Sequence, residues 1–544
     1  MIKQLKFLVL SLLLLSATMN AQVTTSGISG KVSSNNEPII GATVIATHTP
    51  SGTTYGAVSN EKGRYFIQGM RVGGPYTIVI SYVGYKKVEF TDVQLSLGET
   101  STINALLKES SQQLNEVIVT SRSGVKTAAG GAASNFNSKQ IANTPTVDRN
   151  IYDIAKMSPL VAPSKIGGLS IAGSNNRYNS FQIDGMVSND VFGLASSGTN
   201  GGQTSANPIS LDAIQEIQVV IAPFDVRQSG FTGGGINAIT KSGTNNLAGS
   251  AYGYYTDQNM YGNWSQVNNV KAKVGTQSTK IGGFTFGGPI IKDKLFFFTS
   301  AEYKYDTYPS SYYPDYTTSY LTAGEAKAIS DRYATITGKT DSYNQRSIDT
   351  KGLSLLGRID WNINTNNKFS FRYQYNNSYK DTYASGSTTY YFSNSGYRML
   401  DKTNSFVAEL NSKFSDVLSN ELRAGITLVR DKREVPYTGP NISIAKLGGG
   451  VGTTTGKTTS YIGTEYSSGA NRLDQNIYTF EDNLTLYHGD HTFTLGTHNE
   501  IYRLNNLFIQ ASTGAYYYKS LTDFLNDNAY QFKYSYSDYN LTGS

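Results

Sequence analysis

The chain has 544 residues, too many for one ordinary domain, and its formal net charge of +6 is small for that length. It has no cysteine, which excludes disulfides, thiolate metal sites and cysteine nucleophiles, and it has no basic stripe that would indicate nucleic-acid binding. Its 40 tyrosines and 54 glycines favour large antiparallel β structure, such as an outer-membrane barrel, although a soluble β-helix or an adhesin can share this composition.

The N-terminus predicts export. Two lysines in MIKQLK precede the apolar run FLVLSLLLLSA, and TMNAQ offers a small-residue cleavage site after Ala21. This pattern predicts a signal peptide at residues 1–21; a membrane anchor is the alternative, but the run is too short to span a bilayer. No cysteine follows, which excludes a lipoprotein, and no later run reaches the roughly 20 apolar residues of a spanning helix. Any insertion into a membrane must therefore use a barrel.

Residues 27–108 predict a small all-β domain, because short alternating strands are separated by Gly, Pro and Asn at the spacing of a sandwich. The segments PIIGATV, SNEKGRYFIQGM and GPYTIVISYVGYK resemble the carboxypeptidase-regulatory-like module, a β-sandwich also classed with carbohydrate-binding-like folds. Matching turn and packing positions are Gly41, Gly63, Tyr65, Gly84 and Tyr85. The module is an accessory part of such enzymes, so the resemblance does not imply peptidase activity and leaves a glycan-binding role open.

The short segment LNEVIVT, residues 114–120, raises a separate question. It is strand-prone and precedes a Ser/Gly/Ala-rich stretch that is typical of a linker. An unpaired strand invites pairing with another chain. The segment is therefore either the last strand of the sandwich or a docking strand for a partner, and STINALL already supplies a final strand for the sandwich.

Residues 125–245 predict an α+β unit. Ile151, Ile154 and Ala155 recur at helical spacing, with Val147 one turn earlier, after a Thr-Pro start. SFQIDGMV and AIQEIQVVIAPFDV predict strands around a loop rich in Gly, Ser and Asn.

From residue 246 onward, pairs of alternating segments joined by short turns predict antiparallel hairpins. In KFSFRYQYN, Phe369, Phe371 and Tyr373 share one face, and Ser370, Arg372 and Gln374 share the other. Long Tyr/Ser/Thr/Gly-rich loops, near 305–350, 376–401 and 431–474, alternate with the short turns. This asymmetry is typical of outer-membrane barrels, and about ten to twelve strands are expected.

The strongest resemblance lies in the middle unit. The stretches RNIYDIAKMSPLV and IAGSNNRYNSFQIDGMVSNDVFGL, continuing through APFDVRQSGFTGGGINAITKSGTNN, are similar to the plug domain of TonB-dependent outer-membrane receptors of the Oar-like branch. GGFTFGGPIIKDKLFFFTSAEY resembles the first barrel strands of that branch, so the similarity runs from about 113 to 305. Residues matching the plug motif are Arg177, Asp184, Gly185, Asp225, Arg227, Gly233, Gly234 and Gly235.

The resemblance implies a role for LNEVIVT. In this family a TonB box before the plug pairs as an added strand with a TonB-type energy-coupling protein, and LNEVIVT matches it in position and type, within a box-and-linker segment at residues 113–124. The implied box residues are Leu114, Glu116, Val117, Ile118, Val119 and Thr120. The family also implies that plug arginines pair with carboxylates of the barrel wall, with Arg177 and Arg227 as candidates, although Arg177 also fits a local role at the IDG turn.

Other patterns give little support for chemistry. His488, His491 and His498 lie around one predicted turn and strand, so a shared metal is not expected, and GGGVGTTTGKTT departs from the phosphate-binding loop at Val451. The glycines 233–235 favour a backbone packing site over a nucleotide site. TDSYNQ and similar acidic–polar runs leave loop Ca²⁺ sites as a minor alternative. No cofactor, resident metal or enzymatic activity is predicted.

The predicted fold class is mainly β: a β-sandwich, then an α+β plug, then a partial antiparallel transmembrane β-barrel over residues 246–544. Family barrels have 22 strands, so we expect the chain to be an N-terminal portion of a longer barrel. The expected function is uptake of a small molecule such as a siderophore, a glycan or a peptide across the outer membrane, with the sandwich and TonB box in the periplasm. Outer-membrane lipid and the energy-coupling protein are the expected partners; a passive structural or adhesive protein, or a glycan-binding surface protein, is the alternative.

Overall fold

The computed structural model describes residues 23–536 apart from short gaps, and these lie at 110–116, 121–125, 129–131, 147–148, 165–167, 222, 224, 226, 229, 261–263, 268–269, 274, 316–320, 453–455 and 490. The described chain is mainly β, as predicted. It forms a sandwich, a middle α+β unit, a large antiparallel sheet and a fourth subdomain built from the long loops of that sheet.

The sandwich consists of two sheets facing one apolar core. Its strands are β1 (Ser26–Ser34), β2 (Glu37–Pro38), β3 (Thr43–His48), β4 (Thr53–Val58), β5 (Arg64–Met70), β6 (Gly73–Ser81), β7 (Val88–Leu95), β8 (Thr100–Thr102), β9 (Ala105–Leu106), β10 (Val117–Thr120) and β11 (Lys126–Ala128). One sheet has β1 at its centre, paired with β2, β5, β8 and β9, and β11 pairs with β8; the other has the order β10-β7-β6-β3-β4.

Glycines permit the tight turns of the sandwich at the predicted positions. Gly41, Gly63 and Gly84 have φ of +80°, +72° and +84°, a backbone region that side chains with a Cβ rarely adopt. Tyr65 is buried, and its hydroxyl donates to the Ile103 carbonyl oxygen at 2.7 Å. Tyr85 is half-buried against the same core. The predicted turn and packing positions are therefore confirmed.

The middle unit is a five-stranded sheet with two short helices. Its elements are β12 (Ala132–Asn137), α1 (Ser138–Asn143), α2 (Ile151–Ala155), β13 (Val161–Pro163), β14 (Leu169–Ile171), β15 (Ser180–Ile183), β16 (Met186–Val187), β17 (Ile214–Ile221) and β18 (Gly234–Thr240), with sheet order β12-β17-β18-β15-β16. Helix α2 buries Ile151, Ile154 and Ala155 as predicted. It begins after its N-cap Asn150 and not at the Thr-Pro pair, and Val147 lies outside the described residues.

The large sheet has nine antiparallel strands in the described chain. They are β19 (Ala248–Asp257), β22 (Ser278–Ile291), β23 (Leu295–Pro309), β24 (Ser347–Asn362), β25 (Asn367–Thr382), β27 (Tyr397–Lys413), β28 (Leu418–Glu434), β31 (Ala470–His488) and β32 (His491–Ile509), in that spatial order, and β20 (Trp264–Val267) pairs with β21 (Val270–Lys273) beside them. Phe371 is 36% exposed and Arg372 3% exposed, so the predicted faces of β25 are confirmed. The inward face contacts the middle unit, whose core includes Phe298 and Leu356 of the sheet.

The long loops fold together into a subdomain with its own core. Its elements are α3 (Ala323–Thr337), β26 (Thr389–Tyr391), β29 (Asn441–Leu447), β30 (Thr458–Gly463), β33 (Ala515–Tyr518), α4 (Leu521–Leu525) and β34 (Gln531–Lys533). Tyr333, Tyr390 and Phe392 are fully buried in this core. The large sheet has fewer strands than expected because the short strands of the loops pair with one another here. Glu325 accepts from the amide of Gly448, so the glycine-rich stretch packs on the start of α3.

The sandwich lies at the end of the large sheet where the turns are short. Asn362 Nδ2 donates to Thr53 Oγ1 at 2.9 Å, and Lys413 Nζ donates to the Gly56 carbonyl oxygen at 2.6 Å. The loop subdomain lies at the opposite end, which we call the long-loop end. Among the described residues, no helix is long and apolar enough to cross a membrane.

Candidate functional site: a charge network between three units

The site is organised by the turn between β15 and β16, where the sequence IDG reverses the chain. Asp184 and Gly185 both have left-handed backbone, with φ of 48° and 72°. A Cβ at position 185 would lie 2.3 Å from Nη1 of Arg423, so only glycine fits there. The turn therefore brings Asp184 against the inward face of the large sheet.

The Asp184 carboxylate contacts both its own unit and the sheet. Within the middle unit it accepts from the Thr240 amide at 2.8 Å and from the Thr240 hydroxyl at 2.9 Å. From the sheet, Nε of Arg372 lies 2.9 Å and Nη1 of Arg358 lies 3.3 Å from its oxygens. All three charged side chains are largely buried, with exposed fractions of 9%, 3% and 15%. One carboxylate thus joins two strands of the sheet to the middle unit.

The network continues into the sandwich. Asp360 accepts from Nε of Arg358 at 3.0 Å, and Nη2 of Arg71, between β5 and β6, lies 3.9 Å from the same carboxylate. Arg71 also donates to the Ser242 hydroxyl at 3.0 Å. A cavity of about 150 Å³ lies among these groups. The sandwich, middle unit and sheet therefore meet at one cluster of buried charges.

A second cluster surrounds Arg423 on β28. Its guanidinium, fully buried, contacts the carboxylates of Glu409, Glu421 and Glu481, with 3.0 Å between Nη1 and Glu481. Thr24, near the N-terminus, receives a hydrogen bond from Arg423 at 2.7 Å and donates to Glu409 at 2.8 Å. The chain before the sandwich is therefore held between the sheet and the middle unit.

The two predicted arginines occupy other places. Arg227 pairs with Asp225 of its own unit at 2.7 Å, and the Arg177 amide donates to Asn175. Neither forms an ion pair with a sheet carboxylate among the described residues. We expected arginines of the middle unit to pair with carboxylates of the sheet. In the Asp184 contact the charges are reversed, because the middle unit supplies the carboxylate and the sheet supplies the arginines. Arg149 is a further ion of the middle unit; it pairs with Asp212 and lies over the rings of Tyr252 and Tyr254.

The triple glycine is a packing site, in line with its interpretation from the sequence. A Cβ on Gly233 would lie 2.3 Å from Asn179 Oδ1, and one on Gly234 would lie 2.4 Å from Ile171 Cγ2. The Gly235 position faces Phe231 at 3.3 Å. These glycines allow β18 to pass close to its neighbours.

The predicted TonB box is only partly described. Leu114 and Glu116 lie outside the described residues. Val117, Ile118, Val119 and Thr120 form β10, which pairs in parallel with Val88–Thr91 of β7. The segment is thus added to the edge of the sandwich, which is the alternative that the sequence left open, and its role in coupling remains a prediction.

The histidines do not gather around a metal-like site. His488 and His491 pair across β31 and β32, and His498 lies between Glu481 and Glu500 at 3.2 and 2.8 Å. Within the described parts of the chain, no group of three or more His, Cys, Asp or Glu side chains is arranged so that it could hold a metal ion.

Sequence reasoning placed Arg372 on the inward face but did not predict that Arg358, Asp360, Arg71 and Arg423 belong to buried charge clusters. The sequence of β24 contains a pattern that indicates inward charges, because Arg358 and Asp360 alternate with Ile359 and Trp361, whose side chains face outward. Charged residues on the inward face of a strand need buried partners.

Two titrating groups outside the membrane-spanning strands are shifted by their surroundings. Burial raises the pKa of Glu216 on β17 to about 7, against the opposing effect of the Leu97 amide that donates to it. Burial, with Arg71 close by, lowers the pKa of His48 to about 3. His48 is therefore neutral at physiological pH, whereas Glu216 changes charge near neutrality.

Comparison with known proteins gives two family matches and one curated relative. Residues 27–108 match the carboxypeptidase regulatory-like domain, and residues 239–353 and 325–543 match the outer membrane beta barrel domain. The chain is 25% identical over 359 residues to the TonB-dependent transporter Oar of Myxococcus xanthus, covering 62% of this chain and 32% of that protein.

Solved structures with a similar fold include the outer membrane transporter YddB of Escherichia coli, with a TM-score of 0.49 and 14% identity over 71% of this chain and 50% of that one. The ferric enterobactin receptor PfeA of Pseudomonas aeruginosa has a TM-score of 0.44 and 15% identity over 69% of this chain and 49% of that one. The chain thus spans about a third of the curated relative and about half of these structures.

Proposed function

The chain belongs to the family of outer-membrane β-barrel proteins, and from this premise we propose that it is an active outer-membrane receptor and importer. The middle unit acts as the plug of its channel, and a TonB-type protein supplies the energy that displaces the plug. The chain performs no covalent chemistry in this role. The alternative of a passive structural or adhesive protein requires neither a displaceable plug nor energy coupling.

The contact of Asp184 with Arg358 and Arg372 is the observation that supports a plug most directly. It buries charges between the middle unit and the inward face of the large sheet, which we call the wall. Each buried ion there is stabilised by its partner of opposite charge. Such a contact fixes the position of the plug strongly but can be replaced by water when the plug moves. A permanently closed protein would be served equally well by an apolar contact.

The long-loop end is the receptor face in this proposal. Tyr516 contacts the ring of Phe532 with 4.6 Å between centroids, and Phe532, Tyr534 and Tyr536 continue as a stacked row. Phe532, Tyr534 and Tyr536 are more than half exposed. Exposed aromatic faces bind sugars, peptides and chelated iron through stacking and apolar contact. The sandwich at the opposite end then lies in the periplasm.

Strand addition is the proposed route of coupling. In the sheet order β10-β7-β6-β3-β4, β10 is the outermost of the described strands. A strand of the coupling protein can pair with this edge through main-chain hydrogen bonds, while alternate side chains give specificity. The pairing of β10 with β7 is therefore compatible with the role of residues 114–120 as a TonB box.

Val117→Pro tests this function, because proline removes a backbone donor and does not fit a paired strand. The measurement is disulfide cross-linking between Ile118→Cys and single-cysteine variants of the partner strand in energised cells, which is clean because the chain has no native cysteine. We expect Val117→Pro to abolish the cross-link and uptake, with unchanged amounts in the outer membrane. Val117→Thr, which remains β-branched, is the matched control. Normal uptake by Val117→Pro would contradict the proposal.

A further inference from the structure

The sandwich makes a second, mainly apolar contact with the middle unit, directly beside the charge network. Leu97, in the turn after β7, is fully buried against Val72 of the sandwich and Ile239 of β18. These three residues form an apolar cluster that neither unit completes alone. We call this the docking contact.

Hydrogen bonds fix the docking contact in one register. The Leu97 amide donates to the Glu216 carboxylate at 2.8 Å, and the Leu97 carbonyl oxygen accepts from Gln218 Nε2 at 2.6 Å. Both polar groups are buried side chains of β17. Close by, Asn135 of β12 donates to Glu99 at 3.1 Å. The turn after β7 therefore lies across the two longest strands of the middle unit.

The sandwich is attached to the large sheet at the same time. The ring of Phe66 stacks on Tyr487 with 4.8 Å between centroids and 11° between planes, and Lys413 donates to the Gly56 carbonyl oxygen. Because it contacts both the middle unit and the wall, the sandwich lies across the path by which the middle unit could leave toward the short-turn end.

We propose that the sandwich is a restraint on the plug: it docks through Leu97 on β17 and β18 and must separate from them before the middle unit can open. The inference rests on the proposed function only in treating the middle unit as a plug. The strand β10 pairs directly with β7, and Leu97 follows the end of β7 by two residues. A force applied to β10 therefore reaches the docking contact through a single strand.

An engineered disulfide tests the restraint without reference to uptake. A Cβ built on Gly69 of the sandwich lies 3.4 Å from Cβ of Asn411 on β27, just below the roughly 3.5–4.5 Å that separates the Cβ atoms of disulfides, so a small shift admits the bond. In the Gly69→Cys/Asn411→Cys protein, the oxidised and reduced forms share any strain from the left-handed backbone at Gly69, so their difference reports the cross-link alone. The readout is hydrogen exchange of the β17 and β18 amides in mild urea, with purified protein in detergent.

We expect these amides to exchange at least tenfold more slowly in the oxidised form than in the reduced form of the same protein. Equal rates in the two forms would overturn the restraint. A loss of cross-linking to the energy-coupling protein in Val117→Pro, by contrast, concerns the proposed function and leaves this comparison unchanged.

Single-cysteine labelling gives an independent test. Leu97→Cys places a thiol at the fully buried docking contact, and Val83→Cys places one at a sandwich position that is 92% exposed. In the folded proteins, a small maleimide should label the Val83→Cys variant rapidly and the Leu97→Cys variant at least tenfold more slowly. The control is that hydrogen exchange of the other sandwich amides stays at the wild-type rate in both variants. If both thiols were then labelled at the same rate, the sandwich would not be docked.

Discussion

The middle unit contacts its two neighbours in chemically different ways. Toward the large sheet, Asp184 meets Arg358 and Arg372 in a network of buried charges. Toward the sandwich, Leu97 supplies an apolar side chain and two backbone hydrogen bonds. Burying ions costs solvation energy that their attraction only offsets, whereas buried apolar area stabilises directly. The charges therefore determine where the plug sits, and the sandwich contact contributes to keeping it there.

Removing the charge of Asp184 should give the largest effect. Asp184→Asn keeps the shape of the side chain and the tolerance for left-handed backbone but leaves two arginines without their shared carboxylate. We expect the free energy of opening of the middle unit to fall by about 3–5 kcal/mol, toward the lower value because the adjoining cavity admits water. Native-state hydrogen exchange of β15 and β18 measures it.

Asp153→Ala is the control for Asp184→Asn. Asp153 pairs with Lys156 on the partly exposed side of α2, and such pairs contribute under about 1 kcal/mol. Equal effects of the two substitutions would mean that the buried network does not position the middle unit.

Truncation of Leu97 should have the next largest effect. Leu97→Ala removes a fully buried side chain from the apolar cluster, and we expect the docking of the sandwich to weaken by about 2–3 kcal/mol. Maleimide labelling of a thiol introduced by Val72→Cys reports undocking. Leu106→Ala, at a position that is 58% exposed in the same domain, should change docking by less than about 0.5 kcal/mol. If the Val72→Cys thiol were labelled equally slowly with and without Leu97→Ala, the apolar side chain would not stabilise docking. The contrast between a charged contact with the large sheet and an apolar contact with the sandwich would then not hold.

Local patterns made part of this architecture predictable. The turn glycines of the sandwich and the alternation of Phe371 and Arg372 are visible in sequence because each depends on neighbouring residues along the chain. The core of the loop subdomain is not visible, since Tyr333, Tyr390 and Tyr518 come from separate loops and meet only in the folded chain. No periodic pattern within one loop indicates which other loops it packs against.

The site was predicted less well than the fold for a related reason. Asp184 and Arg358 are 174 residues apart, and nothing in either segment states that the two meet. The plug resemblance included Asp184 and Gly185 among its motif residues but directed the pairing to Arg177 and Arg227. Whether the middle unit supplies the carboxylate or the arginine depends on the residues that face it from the large sheet. Only the three-dimensional structure shows which residues these are.

The docking contact should weaken as pH rises. The pKa of Glu216 is raised to about 7 in the docked state by burial, with Glu99 as a further negative charge nearby, and should return to about 4.5 when the sandwich separates. Between these two pKa values the docked state therefore binds one more proton than the undocked state. The stabilisation of docking by Glu216 is complete below pH 4.5, decreases as the pH rises, and is lost above about pH 7. Between pH 6 and 8 we expect docking to lose about 1 kcal/mol.

Glu216→Gln should make docking insensitive to pH over this range, because the amide oxygen still accepts from the Leu97 N–H but the side chain does not titrate. The difference is measured by labelling Val72→Cys at pH 6 and pH 8, with each rate divided by that of the exposed Val83→Cys thiol to remove the pH dependence of the maleimide reaction. A residual slope that disappears only with Glu99→Gln would assign the titration to Glu99, whose pKa is also raised by burial. Faster normalised labelling at pH 6 than at pH 8 in the parent protein would contradict the sign.

Arg227→Ala should give the smallest effect, although the family resemblance singles Arg227 out. Its partner Asp225 is two residues away in the same unit, and both side chains are 29% exposed, so water can replace the lost contact. We expect the free energy of opening to change by less than about 1 kcal/mol, and Asp225→Ala to behave alike. Hydrogen exchange of β17 and β18 is again the measurement. If Arg227→Ala opened the middle unit as readily as Asp184→Asn, Arg227 would have to contact a wall carboxylate such as Glu421, whose charge acts on it across the interface. The network that positions the plug would then include ions of both signs from the middle unit.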